Sequence, residues 1–275
     1  MELSSTLTRV PVQGGRRSAL REGDLWSARA LDWASYQEAQ NYQVHTEVLG
    51  RVPRIAGQRL LDVGCGAGLF LQRAAKHGAT VAGLDAASGL VAIARRRIAD
   101  ADIRVGEMDV LPYAEQSFDI VTGIHSFDLA HDPLTAVEEA HRVLRPGGLV
   151  VAVTWGAPDD SAAARHLLAA APLLPRDGSS RLAPFAFSAP GALSRLVTAA
   201  GFERPVEYDG HATWEYDDEA ALLRGLLSAG PLVRAVAHSG SYAVTSAVLE
   251  ASEPYRTESG GYRLENSFRY VVATA

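Results

Sequence analysis

The residues of this 275-residue chain that could do chemistry sit at the ends of short apolar runs. In Leu60-Leu61-Asp62-Val63-Gly64-Cys65-Gly66-Ala67-Gly68, three glycines alternate with small residues, and a helical apolar pattern starts at Leu69. Glycine in such a turn lets a ligand approach the backbone, and the N–H groups of a helix start attract negative charge, so a carboxylate or phosphate is expected here. The G-x-G-x-G spacing differs from the G-x-G-x-x-G of dinucleotide loops, which argues against a pyrophosphate. Asp85 ends a second apolar run 19 positions after Gly66. At that separation a βαβ unit places an acid at its second strand tip, where it can accept from ribose hydroxyls. The same residue could also cap the helix that follows. Glu107 and Met108 come just after a third run, and a carboxylate and an apolar side chain there can accept from an adenine amino group and cover its ring. His125 and His131 follow a fourth run. An imidazole titrates near neutral pH and suits a general base. His125 is the first candidate, against a role limited to cofactor contact or pocket shape; His131 is the second, against a solvent-facing position ahead of a helix.

These positions need a sheet to hold them. The apolar runs ending at Val63, Asp85, Gly106 and Gly123 are expected as strands one to four, and Leu149 to Trp155 as the fifth. Helices are expected over Leu69 to His77, closed by Gly78, over Ala86 to Arg97, and from Asp132-Pro133 through Leu144, with an acid N-cap and proline at the first position. Arg145-Pro146-Gly147-Gly148 stops the last of these. Beyond Trp155 the spacing predicts helices over Ser161 to Leu174 and Pro190 to Ala200, and a loop over Pro175 to Ala189. A sixth strand includes Val206 to Tyr208. Three helices within about Asp217 to Pro254 precede a last strand over Tyr262 to Val272.

Read together, the glycine loop, Asp85, the segment Glu107-Met108-Asp109-Val110-Leu111-Pro112-Tyr113 and the helix, R-P-G-G, strand pattern resemble the class I S-adenosylmethionine (SAM) dependent methyltransferases. The likeness covers Leu60 to Trp155. It is greatest to the small-molecule type that includes ubiquinone and menaquinone methyltransferases. The resemblance implies an α/β, Rossmann-like, doubly wound sheet of about seven strands in the order 3-2-1-4-5-7-6, and SAM as cofactor with S-adenosylhomocysteine (SAH) as product. It implies cofactor contacts at Asp62, Gly64, Cys65, Gly66, Gly68, Asp85, Ala86, Glu107, Met108 and His125, the last where relatives often carry Asn. In that family the last two strands join by a tight hairpin, so the helices near 217–254 are an insertion.

Composition bounds the partners. With 26 basic against 32 acidic residues, net charge −6, nothing favours nucleic acid. A small molecule is the expected substrate, and a monomer or homodimer the expected state. A single cysteine in the glycine loop favours a reducing compartment. The first 23 residues lack the apolar core of a signal peptide, and no run reaches membrane-spanning length. No membrane partner and a cytoplasmic location follow as expectations. His45, His77, His141, His166, His211 and His238 include no pair at helical metal-site spacing, so no metal is expected. Residues 1–23 read as a mobile arm, 24–55 as lid helices and 56–275 as the SAM-binding domain. The aromatic stripe of the lid, with Trp33, Tyr36 and Tyr42, is expected either to pack on the main domain or to bind substrate, and Trp155 to join the substrate wall.

The leading expectation is methyl transfer to a small molecule by in-line displacement, with O-methylation in secondary metabolism as its specific form. Two other classes stay open: a SAM-bound cyclisation, rearrangement or binding function, and a nicotinamide oxidoreductase. The loop spacing and the Glu107–Tyr113 segment weigh against the last.

Overall fold

In a computed structural model, the described residues are 15–176 and 185–275, with side chains from residue 22 onward. Seven strands form one sheet in the order β3-β2-β1-β4-β5-β7-β6: β1 (Arg59–Val63), β2 (Thr80–Asp85), β3 (Asp102–Val105), β4 (Phe118–Ile124), β5 (Leu144–Trp155), β6 (Glu203–Tyr216) and β7 (Tyr262–Thr274). The first five pair parallel and β7 runs antiparallel between β5 and β6. This is the expected order. Strands β1 and β4 meet where the winding reverses, which opens a crevice at their C-terminal ends.

The central strands are apolar because both their faces are covered. Leu60 packs with Val44 and Val48 of α3 (Tyr42–Arg51), Phe70 and Leu71 of α4 (Leu69–Lys76), and Val91 of α5 (Ser88–Arg97). Its neighbour Leu61 packs on the opposite face, with Val137 of α6 (Pro133–Val143) and Leu193 of α8 (Ala192–Ala199). The caps follow the expected residue chemistry. Asp132 accepts from the N–H groups of Leu134 and Thr135 with Pro133 at the first helical position, and Gly78 takes φ +90° after α4.

A third core lies beyond the sheet end. It joins α7 (Ala162–Ala170), α9 (Glu219–Leu226), α10 (Gly230–Ser239) and α11 (Ser241–Ser252) to Trp214, Tyr216, Tyr262 and Leu264 of the long final strands. The sixth strand is one continuous element through Tyr216. Ahead of β1 lie α1 (Gly15–Ala28), α2 (Ala30–Asp32), a π-helical turn Trp33–Gln37 and a 3-10 turn Glu38–Asn41. Helix α1 thus begins inside the stretch expected to be an arm; positions 1–14 and 177–184, including part of the expected 175–189 loop, lie outside the described residues. The Gln40 amide bridges both backbone groups of Glu215, and Gln43 Oε1 accepts from Thr213 N–H, so the free edge of β6 is occupied by side chains. Among the described residues, no single helix is long and apolar enough to cross a membrane.

His45 on α3 is buried edge-on against Phe70, with Nδ1 unpartnered. Burial pushes its pKa down to about 3. The unfolded chain binds a proton near the ordinary value and the folded chain resists it, so stability present above pH 6.5 is lost as pH falls toward 3. Relative to the wild type, His45→Leu should remove about 1.4 kcal/mol per pH unit from the acid limb between pH 6 and 4. Urea unfolding at pH 7 and pH 4.5 reads this; an equal pH dependence in both proteins would contradict it.

Candidate active site

Strand β1 delivers the chain into a turn in which Gly64, Gly66 and Gly68 all have positive φ, at +79°, +55° and +84°. A Cβ on Gly64 would fall 2.4 Å from Ser126 Cβ, whereas Gly66 meets nothing nearer than Trp33 Nε1 at 3.7 Å. The Gly66 backbone is therefore the approachable one. Its N–H donates to Asp85 Oδ2 at 2.8 Å, and Asp85 Oδ1 accepts from Ala87 N–H at 2.8 Å. Asp85 does not cap α5, which starts after Ala87 without a side-chain cap; its bond to Ala87 N–H closes the turn ahead of the helix. The Leu69 N–H at the start of α4 donates to Glu38 Oε1 at 2.9 Å. The negative charge expected at this helix start is supplied by the chain's own carboxylates.

A cavity of about 1080 Å³ opens above the switch point. Gly64, Gly66, Asp85, Ala86, Glu107 and Met108, from the expected cofactor set, are among its lining residues. Asp62, Cys65 and Gly68 do not line it. Asp62 points into the sheet, where Thr122 donates to its Oδ1 at 2.6 Å and burial pushes its pKa up to about 7. The Cys65 thiol packs over Gly83, and burial holds its pKa well above the ordinary value. Gly68 lies against Ala94 of α5. These three set the shape of the loop from behind.

His125 lies at the middle of the cavity wall. Its φ is +52°, a conformation few residues other than glycine adopt. Its N–H donates to Val153 O at 3.0 Å, and its ring stacks on Trp155 with centroids 4.7 Å apart. Nδ1 is buried without a partner, and burial pushes the pKa down to about 4. Three residues on, Asp128 also lines the cavity. Its Oδ1 is buried and unpartnered, Oδ2 accepts from Thr154 Oγ1 at 3.4 Å, and burial raises its pKa to about 7. Sequence reasoning passed over Asp128, although it sits in the same strand exit as His125 and His131. His131 is at the exposed rim, near Asp109.

Of the four expected substrate residues, Trp33 and Trp155 line the cavity and Tyr36 and Tyr42 do not. Tyr36 Oη accepts from Arg224 of α9, whose guanidinium lies 4.3 Å over the ring. Tyr42 is 56% exposed on the outer surface, under Arg73 at 3.6 Å. The π and 3-10 turns between Trp33 and Asn41 change the residues per turn, so a stripe continuous at a period of 3.6 is split over several faces. The insertion contributes Leu226, Pro231 and Leu232 to the apolar end, and Glu22 of α1 pairs with Arg234 of α10 at the mouth.

The residues suit an adenosine-bearing guest. Carboxylates lie at the tips of β2 and β3, Met108 offers an apolar cover, and Gly66 leaves its backbone open. The volume lies at the upper end of the roughly 300 to 1,000 Å³ usual for a small-molecule site.

Residues 61–152 match the family described as a methyltransferase domain. A demethylmenaquinone methyltransferase of Renibacterium salmoninarum is 35% identical over 111 residues, 40% of this chain and 47% of the relative. A ubiquinone biosynthesis O-methyltransferase of Ruegeria pomeroyi is 35% identical over 128 residues, 45% of this chain and 50% of the relative. The chain thus spans about half the length of these relatives. Among solved structures, the 4+2 cyclase SpnF aligns over 98% of both chains with TM-score 0.56 and 21% identity, a likeness of fold. The family match begins in β1 and ends in β5, so it covers the strands whose tips form the polar end of the cavity. Residues 61–152 are accordingly a methyltransferase domain of the class I SAM-dependent type, and SAM is the cofactor that goes with it.

Proposed function

We propose that the chain transfers a methyl group to a hydroxyl of a small, largely apolar molecule, a secondary metabolite by class. The observation that carries this is the cavity whose lining brings the glycine loop, Asp85, Glu107 and Met108 together with aromatic and aliphatic side chains and with His125 and Asp128. The O-methyltransferase relatives, named for ubiquinone biosynthesis, support a hydroxyl acceptor.

When bound, SAM supplies an electrophilic methyl carbon on a positively charged sulfur. Asp85 accepts from the ribose hydroxyls, Glu107 from the adenine amino group, and Met108 covers the ring. The cavity walls would orient the acceptor beside the cofactor and exclude water, the contributions that supply most of the rate in such a transfer. Asp128, which lines the cavity, is the residue that would take the hydroxyl proton. An aspartate raised to about 7 is better matched to this task than a histidine lowered to about 4. His125, stacked on Trp155, shapes the wall beside it.

Incubation with methyl-labelled SAM and a panel of phenols, carboxylic acids and amines tests the reaction. Label is expected in an O-methyl product; binding of SAM and the acceptor without label transfer would contradict methyl transfer and favour a cyclisation or rearrangement. Asp128→Asn should lower turnover about a hundredfold with unchanged SAM affinity, and unchanged turnover would remove Asp128 from the mechanism.

A further inference from the structure

We propose that the side-chain amide of Gln37 is a specificity-determining donor of the cavity, and that its Nε2 donates to an uncharged carbonyl oxygen on the methyl acceptor. The inference rests on the function proposed above and names a second group, beside the hydroxyl, that the acceptor carries.

Gln37 closes the π-helical turn Trp33–Gln37, lines the cavity and is 3% exposed. Its Oε1 accepts from Tyr216 Oη at 2.7 Å. Tyr216 is itself buried, and its Oη has no other partner among the described residues. The phenol proton therefore needs the amide oxygen, because turning the amide over would leave that proton without an acceptor. This fixes the position of the NH2 group. Nε2 has no hydrogen bond among the described residues, and unlike His125 Nδ1 it is not one of the unpartnered atoms sealed from contact. With so little of the residue exposed and the cavity against it, the cavity is where a partner can reach this donor. Asn41 lines the cavity as well but is only half-buried, so water meets its amide without a ligand.

The fold makes room for the amide and phenol to meet. Gly225 sits inside α9, where a Cβ would fall 2.7 Å from Tyr216 Cε1 and 3.1 Å from Gln37 Oε1. Glycine weakens a helix interior, and here it is what the close approach requires. Single π turns recur at functional sites. This one sets Trp33 at the glycine loop, with Nε1 3.7 Å from where a Gly66 Cβ would lie, and Gln37 against β6 and the insertion. The donor thus belongs with the elements beyond the cofactor loop.

Charge limits what it meets. Glu22, Asp85, Glu107, Asp109 and Asp128 line the same cavity, and Arg234, the guanidinium among the described lining residues, pairs with Glu22. A carboxylate or phosphate on the acceptor would face this excess of acids. An uncharged carbonyl takes an amide N–H without bringing a further charge out of water. An acceptor with a methylene in place of the carbonyl would leave Nε2 unmet and bind less tightly.

Protein saturated with SAH is titrated with 4-hydroxyacetophenone against 4-ethylphenol and with 3-hydroxyacetophenone against 3-ethylphenol, pairs that differ in the carbonyl and place it at two distances from the hydroxyl. Wild type should prefer the ketone of at least one pair about tenfold. Gln37→Met should bring that ratio close to one with SAH affinity unchanged. Where Gln37→Met fails to fold in a circular-dichroism melt, Gln37→Met combined with Tyr216→Phe decides, since it leaves neither polar partner of the buried pair behind. Equal affinity of wild type for the members of both pairs, or a preference that survives substitution, would overturn the inference. So would weakened SAH binding in Gln37→Met at an unchanged ratio, which would assign the donor to the cofactor's carboxylate. Absence of SAH binding by wild type would instead overturn the function proposed above, and the ketone comparison is then read on protein without SAH.

Discussion

Asp85→Ala is expected to lower SAM affinity by about 3 to 5 kcal/mol, a loss of a hundredfold to more than a thousandfold. Two contributions add. The carboxylate is the proposed acceptor for both ribose hydroxyls, and hydrogen bonds to a charged group contribute about 1.5 to 3 kcal/mol each. It also fixes the glycine loop, since Oδ2 holds Gly66 N–H and Oδ1 holds Ala87 N–H, both at 2.8 Å. Alanine leaves both amides without that acceptor, so the backbone that the cofactor approaches loosens as well. Burial raises the Asp85 pKa while those two amides pull it back, so a carboxylate retained there is held for what it binds. Asp85→Asn separates the two contributions. Its carbonyl can still accept one backbone bond and should recover part of the thermal stability, but its NH2 cannot accept from a hydroxyl, so SAM affinity should stay low. Calorimetric titration of both variants measures this, and wild-type affinity in Asp85→Ala would remove the residue from the cofactor site.

Glu38→Ala is expected to destabilise the fold by about 3 to 4 kcal/mol. Glu38 comes from the segment ahead of the sheet, yet the residue is only 6% exposed. Oε1 caps α4 through Leu69 N–H, and Oε2 pairs with Arg97 Nη1 at 2.7 Å. The same Arg97 nitrogen donates to Ala67 O at 2.8 Å. One carboxylate therefore joins the lid, the loop and α5. Removing it leaves a partly buried guanidinium without its counter-charge and opens the α4 N-terminus. Replacing Arg97 with Met in the same protein should restore part of the loss, because the unpaired charge is then gone. Urea unfolding of the single and double variants reads the effect; a change below about 0.5 kcal/mol, the range of ordinary surface substitutions, would show that the lid is not tied to the loop through this pair.

The sheet and the polar end of the cavity were legible because both are local signals. A strand buried on both faces is a short apolar run, and its order followed from the family resemblance of the tips at Gly64, Asp85 and Glu107. The residues that were misplaced depend on geometry that spacing does not encode. Tyr36 and Tyr42 left the cavity because a π turn and a 3-10 turn interrupt the helical period. Asp62 and Cys65 are inside the motif but face the core, which residue type alone does not reveal. Glu38, Asp128 and Gln37 were missed for a related reason. Their chemistry comes from burial and from partners 26 to 179 positions away, and only the tertiary structure brings these together. Asp128 had one local clue, its place three residues after His125 in the loop at the switch point.

The most direct test of the central claim is calorimetric titration of the purified protein with SAH, SAM and NAD. The geometry of the loop, Asp85 and the Glu107–Met108 pair predicts binding of SAH and SAM at one site per chain and none of NAD. Binding of NAD in place of SAH, or of neither, would contradict the assignment of the polar end of the cavity to SAM and with it the proposed methyl transfer.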